Sequence, residues 1–257
     1  MISNTLEGKK ALVSGAGRGI GRSIALAFAE NGASVALLSR TKDSLEDTKN
    51  LIQNKYHSIV ETVLADISTK EGATGVVQQA NSALGGIDIL VCAAGYPLSP
   101  SIWEKSPHET DEEEIKLVFE TDVLGSFRLV KDVIPIMISR KGGVIILFSS
   151  TPALAGYGKG GAYTISKAAN LGLTKEIAAA YGNFNIRSYA IAPGNIQTER
   201  TYGPLSEDER KTLAAEASMK RWGLPEEVAN VAVALASDNL SFVTGQTIVV
   251  DGGAVMI

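Results

Sequence analysis

Apolar residues along this chain follow two alternating rhythms. Short continuous runs have the length of strands buried on both faces: Lys10 to Ser14 (KALVS), Ser34 to Leu38 (SVALL), Ser58 to Leu64, Ile87 to Ala93, Gly143 to Phe148, Ile186 to Ile191 and Thr247 to Val250. Between them lie longer segments with apolar positions three and four apart. Ile20, Ile24, Ala27 and Phe28 mark the first, Ile20 to Asn31, and Gly32 is its stop signal. Helices are predicted likewise over Asp43 to Lys55, Lys70 to Leu84, Glu109 to Arg140, Ala162 to Tyr181, Ser206 to Ala217 and Pro225 to Ala236. Pro135 marks a kink or break inside the Glu109 to Arg140 segment. Strand and helix alternate from end to end, with no linker, low-complexity segment or internal repeat. That order predicts an α/β chain, residues 1–257 as one domain, on a largely parallel sheet of about seven strands with helices on both faces.

Composition narrows the function classes. The chain has 257 residues, 45% of them apolar and 20% charged, with a formal net charge of −4. That is globular composition, and the mild acidity argues against a nucleic-acid surface, which needs clustered basic charge. The single cysteine, Cys92, excludes an intrachain disulfide and a cysteine metal cage, and reads as a buried core thiol. His57 and His108 lack ligand spacing, and the ETDEEE stretch from Glu109 to Glu114 reads as the solvated start of a helix. No metal site is expected. The N-terminus MISNTLEGKK has no signal-type apolar core, and no run approaches the roughly 18 apolar residues of a membrane span. A cytoplasmic protein without membrane contact is the expectation these absences carry.

The first candidate chemistry lies where the first strand meets the first helix, in Ser14-Gly15-Ala16-Gly17-Arg18-Gly19-Ile20-Gly21. Glycines let a backbone turn tightly and approach a diphosphate, and the helix N-terminus that follows offers free N–H groups and a positive dipole end. The position, at the start of a βαβ unit, is the context that a dinucleotide fingerprint requires. The spacing Gly15-x3-Gly19-Ile20-Gly21 resembles the turn of the short-chain dehydrogenase/reductase family, T-G-x-x-x-G-x-G, with Ser14 in place of threonine. The resemblance implies a single doubly wound Rossmann domain. The second strand ends Ser39-Arg40, with no carboxylate to hold ribose hydroxyls and repel a 2′-phosphate. Arg40 and Arg18 supply cations for such a phosphate, so NADP(H) is expected over NAD(H). Asp66 follows the third strand. The resemblance gives it, with the Ile67 N–H, contact to adenine; the alternative is a helix N-cap. Cys92-Ala93-Ala94-Gly95 departs from the family's N-N-A-G but keeps Ala94 and Gly95 beside the cofactor.

Tyr163 and Lys167 are four residues apart, so on a helix they share one face. A nearby ammonium favours the phenolate, and such a phenol can give a proton to a carbonyl or take one from an alcohol. Upstream, Ser150 ends the apolar run VIILFSS, flanked by Ser149 and Thr151. Ser150, Tyr163 and Lys167 at this spacing resemble the family's catalytic set. The resemblance implies Tyr163 as general acid/base, Lys167 as holder of the nicotinamide ribose, and Ser150 as the group that orients the substrate carbonyl. The family's fourth member is asparagine in N-x-x-G, and here the place reads Asp122-Val123-Leu124-Gly125. Asp122 adds negative charge beside Lys167, which predicts an active enzyme with a shifted pH optimum.

Pro193-Gly194-Asn195-Ile196-Gln197-Thr198 resembles the family's P-G-x-I-x-T, which implies that Pro193, Gly194, Ile196 and Thr198 border the nicotinamide. Gly245 to Thr247 and Val250 to Gly253 resemble the family's terminal strand region, which implies a homotetramer or homodimer. The resemblance spans roughly residues 7–257 and implies an oxidoreductase that interconverts a carbonyl and a secondary alcohol by hydride transfer. The segment from Glu199 to Ala229 is similar to the 3-oxoacyl-carrier-protein reductase branch, so a substrate lid is expected near 199–222 and an acyl thioester is one candidate substrate. Lys141 matches one basic docking position of that branch, and Phe184 occupies another. A sugar, polyol or small alcohol is the alternative substrate. A nucleotide-binding protein that has lost chemistry is the reading of a different class.

Overall fold

The computed structural model describes residues 5–97 and 99–256. Its strands are β1 (Lys10–Ser14), β2 (Ser34–Ser39), β3 (Val60–Leu64), β4 (Ile89–Cys92), β5 (Gly143–Phe148), β6 (Ile186–Pro193) and β7 (Gln246–Val250). They form one parallel sheet in the order β3-β2-β1-β4-β5-β6-β7. The helices between them are α1 (Gly19–Glu30), α2 (Lys42–Lys55), α3 (Lys70–Ala73), α4 (Val76–Leu84), α5 (Pro100–Trp103), α6 (Glu112–Phe119), α7 (Ser126–Ser139), α8 (Pro152–Ala155), α9 (Gly161–Tyr181), α10 (Glu207–Glu216) and α11 (Pro225–Ala236). The order of strand and helix is the one that the apolar rhythm predicts.

Successive strand residues point to opposite faces, so a strand buried on both sides must be apolar throughout. Along β1, Ala11 and Val13 join the core under α1 and α11, with Ile24, Phe28, Val228 and Ala232. Leu12 turns the other way and packs with Val77, Leu129, Val133 and Ile177 from α4, α7 and α9. Two cores therefore grip one sheet, and all seven strands aim their C-terminal ends at the same edge.

Three expectations need correction. The helix over Lys70 to Leu84 is two helices, because Gly75 takes a left-handed φ of +77° that breaks the hydrogen-bond register. The segment Glu109 to Arg140 is also divided: α6 runs into a π-type turn at Glu120–Gly125 and then into α7. Pro135 neither breaks nor ends α7; it lies on the exposed side, where the carbonyl it leaves without a helical partner can be hydrated.

Candidate active site

The edge of strand ends is shaped first by the glycine turn. Gly15 has φ +70°, and a Cβ there would stand 2.8 Å from the Ala93 carbonyl and the Ala94 nitrogen. Only glycine lets the turn lie against the end of β4. Ser14, the residue in place of threonine, accepts a hydrogen bond from the Ala94 N–H at 3.2 Å, which ties the ends of β1 and β4 together. Arg22 Nε donates to Gly17 O at 3.0 Å, and the Thr48 hydroxyl donates to Ala16 O at 3.1 Å. Helix α1 opens at Gly19 with no side-chain cap and no acidic residue in its first turn, so its positive end is unneutralised.

From this turn a cleft of about 420 Å³ runs across the strand ends. It brings together Gly15, Gly17, Arg18, Gly19, Ile20 and Gly21 with Arg40, Asp66 and Ile67 on one side, and Ala94, Gly95, Asp122, Tyr163, Lys167 and Thr198 on the other. Ser150, Pro193, Gly194 and Ile196 are outside its lining. Pro193 ends β6 and its carbonyl accepts the Thr151 N–H. The Gly194 N–H donates to Val250 O, and Ile196 packs into the core beneath α11. Lys141 and Phe184 precede β5 and β6, at the opposite edge of the sheet from the cleft, because all strands are parallel.

The inner end of the cleft is a buried ion pair. Lys167 Nζ lies 2.7 Å from Asp122 Oδ2, with the lysine side chain 7% and the aspartate 1% exposed. The Asp122 carboxylate also accepts the Tyr96 N–H at 2.6 Å and stands 3.5 Å from the Ser166 hydroxyl. The π-type turn that carries it is clamped by Asn170, whose Nδ2 donates to Phe148 O at 2.9 Å and to Asp122 O at 3.3 Å. Burial works to strip the Lys167 proton, but Asp122, with Tyr163, outweighs it and holds the lysine above its ordinary pKa. The ammonium therefore persists and lies 5.4 Å from the centre of the Tyr163 ring. Trp103 meets the same ring edge-on at 5.9 Å.

Three hydroxyls line the end of β5, and their partners distinguish them. Ser149 donates to Lys167 O at 2.9 Å, and Thr151 accepts from Tyr157 at 3.3 Å. Ser150 has only a long contact to Pro193 O, 3.4 Å, and no hydrogen bond to Tyr163 among the described residues. A hydroxyl so weakly held can rotate toward a new acceptor. Cys92 is part of the core, where burial pushes its thiol up to about 12.

The outer end of the cleft is open and positive. Arg40 Nη1 lies 3.5 Å from Asp66 Oδ2, with both side chains more than two-fifths exposed. Partial burial works against the Asp66 carboxylate, but the Ser68 N–H and hydroxyl and Arg40 outweigh it and hold its pKa below the ordinary value. The helix cap falls to Thr69, whose hydroxyl accepts the Gly72 N–H, while Asp66 accepts the Ser68 N–H. Sequence reasoning missed Arg200, Thr121 and Tyr96 in the lining and Asn170 behind it. Asn170 had a usable signal: it is one turn beyond Lys167 on the same helix face. A glycine-rich turn, an uncapped helix N-terminus and a long cleft with cations at one end suit a dinucleotide.

Comparison with known proteins agrees with that shape. Residues 15–255 match the family model described as enoyl-(acyl carrier protein) reductase. The chain belongs to the short-chain dehydrogenase/reductase family of oxidoreductases, whose members interconvert carbonyl and alcohol groups with a nicotinamide cofactor. It is 35% identical to the 3-oxoacyl-(acyl-carrier-protein) reductase FabG of Thermotoga maritima, over 98% of this chain and 99% of that one. L-sorbose reductase of Gluconobacter frateurii, solved with NADPH and L-sorbose, superposes with a TM-score of 0.91 at 31% identity, covering 100% of both chains. A 7α-hydroxysteroid dehydrogenase solved with NADH and 7-oxo glycochenodeoxycholic acid also gives 0.91, at 32% identity, covering 99% of this chain and 97% of that one. No helix among the described residues is long and apolar enough to cross a membrane.

Proposed function

We propose that this protein is an NADP(H)-dependent reductase or dehydrogenase acting between a carbonyl and a secondary alcohol, with Tyr163 as general acid/base. The observation that carries the reading is the buried Lys167 ammonium, held by Asp122 at 2.7 Å and facing Tyr163 from the inner end of the cleft. In reduction, the Tyr163 hydroxyl gives its proton to the carbonyl oxygen; in oxidation, the phenolate takes the proton of the alcohol. Lys167 stabilises the phenolate and holds the ribose next to the nicotinamide. Ser150, the least committed of the three hydroxyls, turns toward the carbonyl oxygen and steadies its developing charge. The bound nicotinamide supplies or accepts the hydride.

The glycine turn and the α1 N-terminus hold the diphosphate, Asp66 and the Ile67 N–H the adenine, and Arg18 and Arg40 a 2′-phosphate. Ala94, Gly95 and Thr198 border the nicotinamide half, and residues 199–222 cover the substrate. The likeness to the Thermotoga maritima reductase supports a 3-oxoacyl thioester, and the likeness to L-sorbose reductase supports a sugar. A cytoplasmic homotetramer or homodimer completes the reading.

The test is NADPH and NADH titration by fluorescence, followed by turnover at 340 nm with 3-oxoacyl and 2-enoyl thioesters, ketoses and oxosteroids. NADPH oxidation with one carbonyl class, lowered about 10²- to 10⁴-fold in Tyr163→Phe with cofactor binding retained, is the expected result. Tight binding without turnover on any carbonyl would leave a nucleotide-binding protein, and equal use of NADH would remove the NADP(H) preference.

A further inference from the structure

Three arginines from three separate parts of the chain line the outer cleft: Arg18 in the glycine turn, Arg40 after β2, and Arg200 in the segment after β6. Arg200 is brought there by a closed turn. The Thr201 N–H donates to the Thr198 hydroxyl at 3.1 Å, and the Thr201 hydroxyl is bonded to Ile196 O. Thr198 itself stands against the glycine turn, its Cγ2 3.5 Å from where a Cβ on Gly19 would be.

The charges of this group are not balanced from within. Asp66 and Glu199 are the carboxylates of the outer lining. Asp66 serves Arg40, at the long distance of 3.5 Å, and among the described residues no carboxylate lies within ion-pair distance of Arg18 or Arg200. Burial and then the positive charges of Arg18 and Arg40 weaken the hold of Arg200 on its proton. Like charges converging on one cleft are unfavourable until an anion lies among them, and guanidinium groups are the side chains best suited to grip a phosphate. The diphosphate is already served by the glycine turn and the α1 N-terminus, so the remaining anion to satisfy lies at the β2 end.

We infer that Arg200 is a third ligand of the 2′-phosphate, supplied by the segment after β6. The inference rests on the reading of Arg18 and Arg40 as the 2′-phosphate site. It makes Arg200 a specificity-determining residue for the cofactor.

The decisive experiment measures binding, with the full chain, of 2′,5′-ADP against 5′-ADP and of NADPH against NADH. The proteins are the parent, Arg200→Ala, Arg200→Lys and Arg40→Ala. Arg200 is exposed, so its variants leave the fold intact. Arg200→Ala is expected to raise Kd for 2′,5′-ADP and NADPH about 10- to 100-fold, as loss of a charged hydrogen bond implies, and to leave 5′-ADP and NADH within about twofold. Arg200→Lys should restore part of the loss. Equal losses for both members of each pair would move Arg200 to the diphosphate and overturn the inference, as would no loss at all. If the parent fails to prefer 2′,5′-ADP, or Arg40→Ala has no effect, the underlying NADP(H) reading falls and the inference with it. If Arg40→Ala abolishes the preference and Arg200→Ala does not alter it, the inference alone falls.

Discussion

The two ends of the cleft hold their charges in opposite ways. At the inner end, Asp122 and Lys167 neutralise each other at 2.7 Å, both out of water, with the carboxylate further bonded to the Tyr96 N–H. At the outer end, Arg18 and Arg200 have no carboxylate partner among the described residues, and Arg40 has a loose, exposed one. The inner end is organised before any ligand arrives, as electrostatic catalysis requires, because no reorganisation is then left for the reaction itself. The outer end is organised for capture, since its positive charge is balanced only by what binds. Substitutions at the two ends should therefore fail differently: inner ones in stability and pH dependence, outer ones in affinity and cofactor choice.

The largest effect is expected from removing one member of the buried pair. Lys167→Met leaves Asp122 charged and uncompensated in the interior, which costs about 3–5 kcal/mol. Urea unfolding should show this as a lower midpoint, and the double variant Asp122→Leu/Lys167→Met should recover most of the stability without activity. A single variant as stable as the parent would show that the inner end is not built on this pair. Lys167 is held above its ordinary pKa, so its contribution is complete below the unfolded lysine value, about 10.4, and is lost as pH rises through the higher folded value. The Lys167 share of the stability should be lost in that alkaline window.

Next in size is Arg40→Ala, measured as the ratio of Kd for NADPH to Kd for NADH. Loss of a charged phosphate contact should change the ratio about 10- to 100-fold while the unfolding midpoint hardly moves. High salt should weaken NADPH binding in the parent more than NADH binding, because these charges are exposed and screened. A ratio unaffected by both would place the phosphate elsewhere.

Asp122→Asn keeps the shape of the inner end and removes only the charge that offsets burial of the Lys167 ammonium. Without the carboxylate, burial weakens the hold of Lys167 on its proton, and the charge that faces Tyr163 changes with it. The pH–rate profile should therefore differ from that of the parent. Superimposable profiles for the two proteins would show that the Asp122 charge does not reach Tyr163.

How far this arrangement was legible differs between the ends for a physical reason. Strands β1 and β5 and helix α11 have the bounds the apolar pattern predicts, because burial on both faces or on one stripe is written into residue type. The π-type turn at Glu120–Gly125 was invisible. Its residues continue the helical rhythm of α6, and its register is set by Asn170 and Lys167 reaching across from α9. Asp122, Tyr163 and Lys167 were legible because motif spacing fixes them. Arg200 was not, since nothing local says which way a side chain in a turn will face. The division of Lys70 to Leu84 was signalled by Gly75 and overridden by the apolar spacing around it.

The smallest effect should come from the carboxylate at the outer end. Asp66 is held below its ordinary pKa, so any stability it supplies is present above the unfolded aspartate value, about 3.9, and is lost as pH falls through the lower folded value. The carboxylate and Arg40 are 42% and 49% exposed, so solvent screening leaves an ion pair of only about 0–1 kcal/mol. Asp66→Asn should therefore shift the unfolding midpoint at pH 7 by a fraction of what Lys167→Met does, and the difference should fade as pH falls through the lowered folded value. Asp66 also sits among the unbalanced arginines, so its neutralisation should strengthen NADPH binding through charge even as it puts an amide, a weaker acceptor than the carboxylate, beside adenine. NADH, with no 2′-phosphate, should feel only the second effect and bind more weakly. The sign of the change in NADPH affinity minus that in NADH affinity thus isolates the charge of the outer end. A large stability loss in Asp66→Asn would show that both ends of the cleft are held by ion pairs, and the contrast between them would be gone.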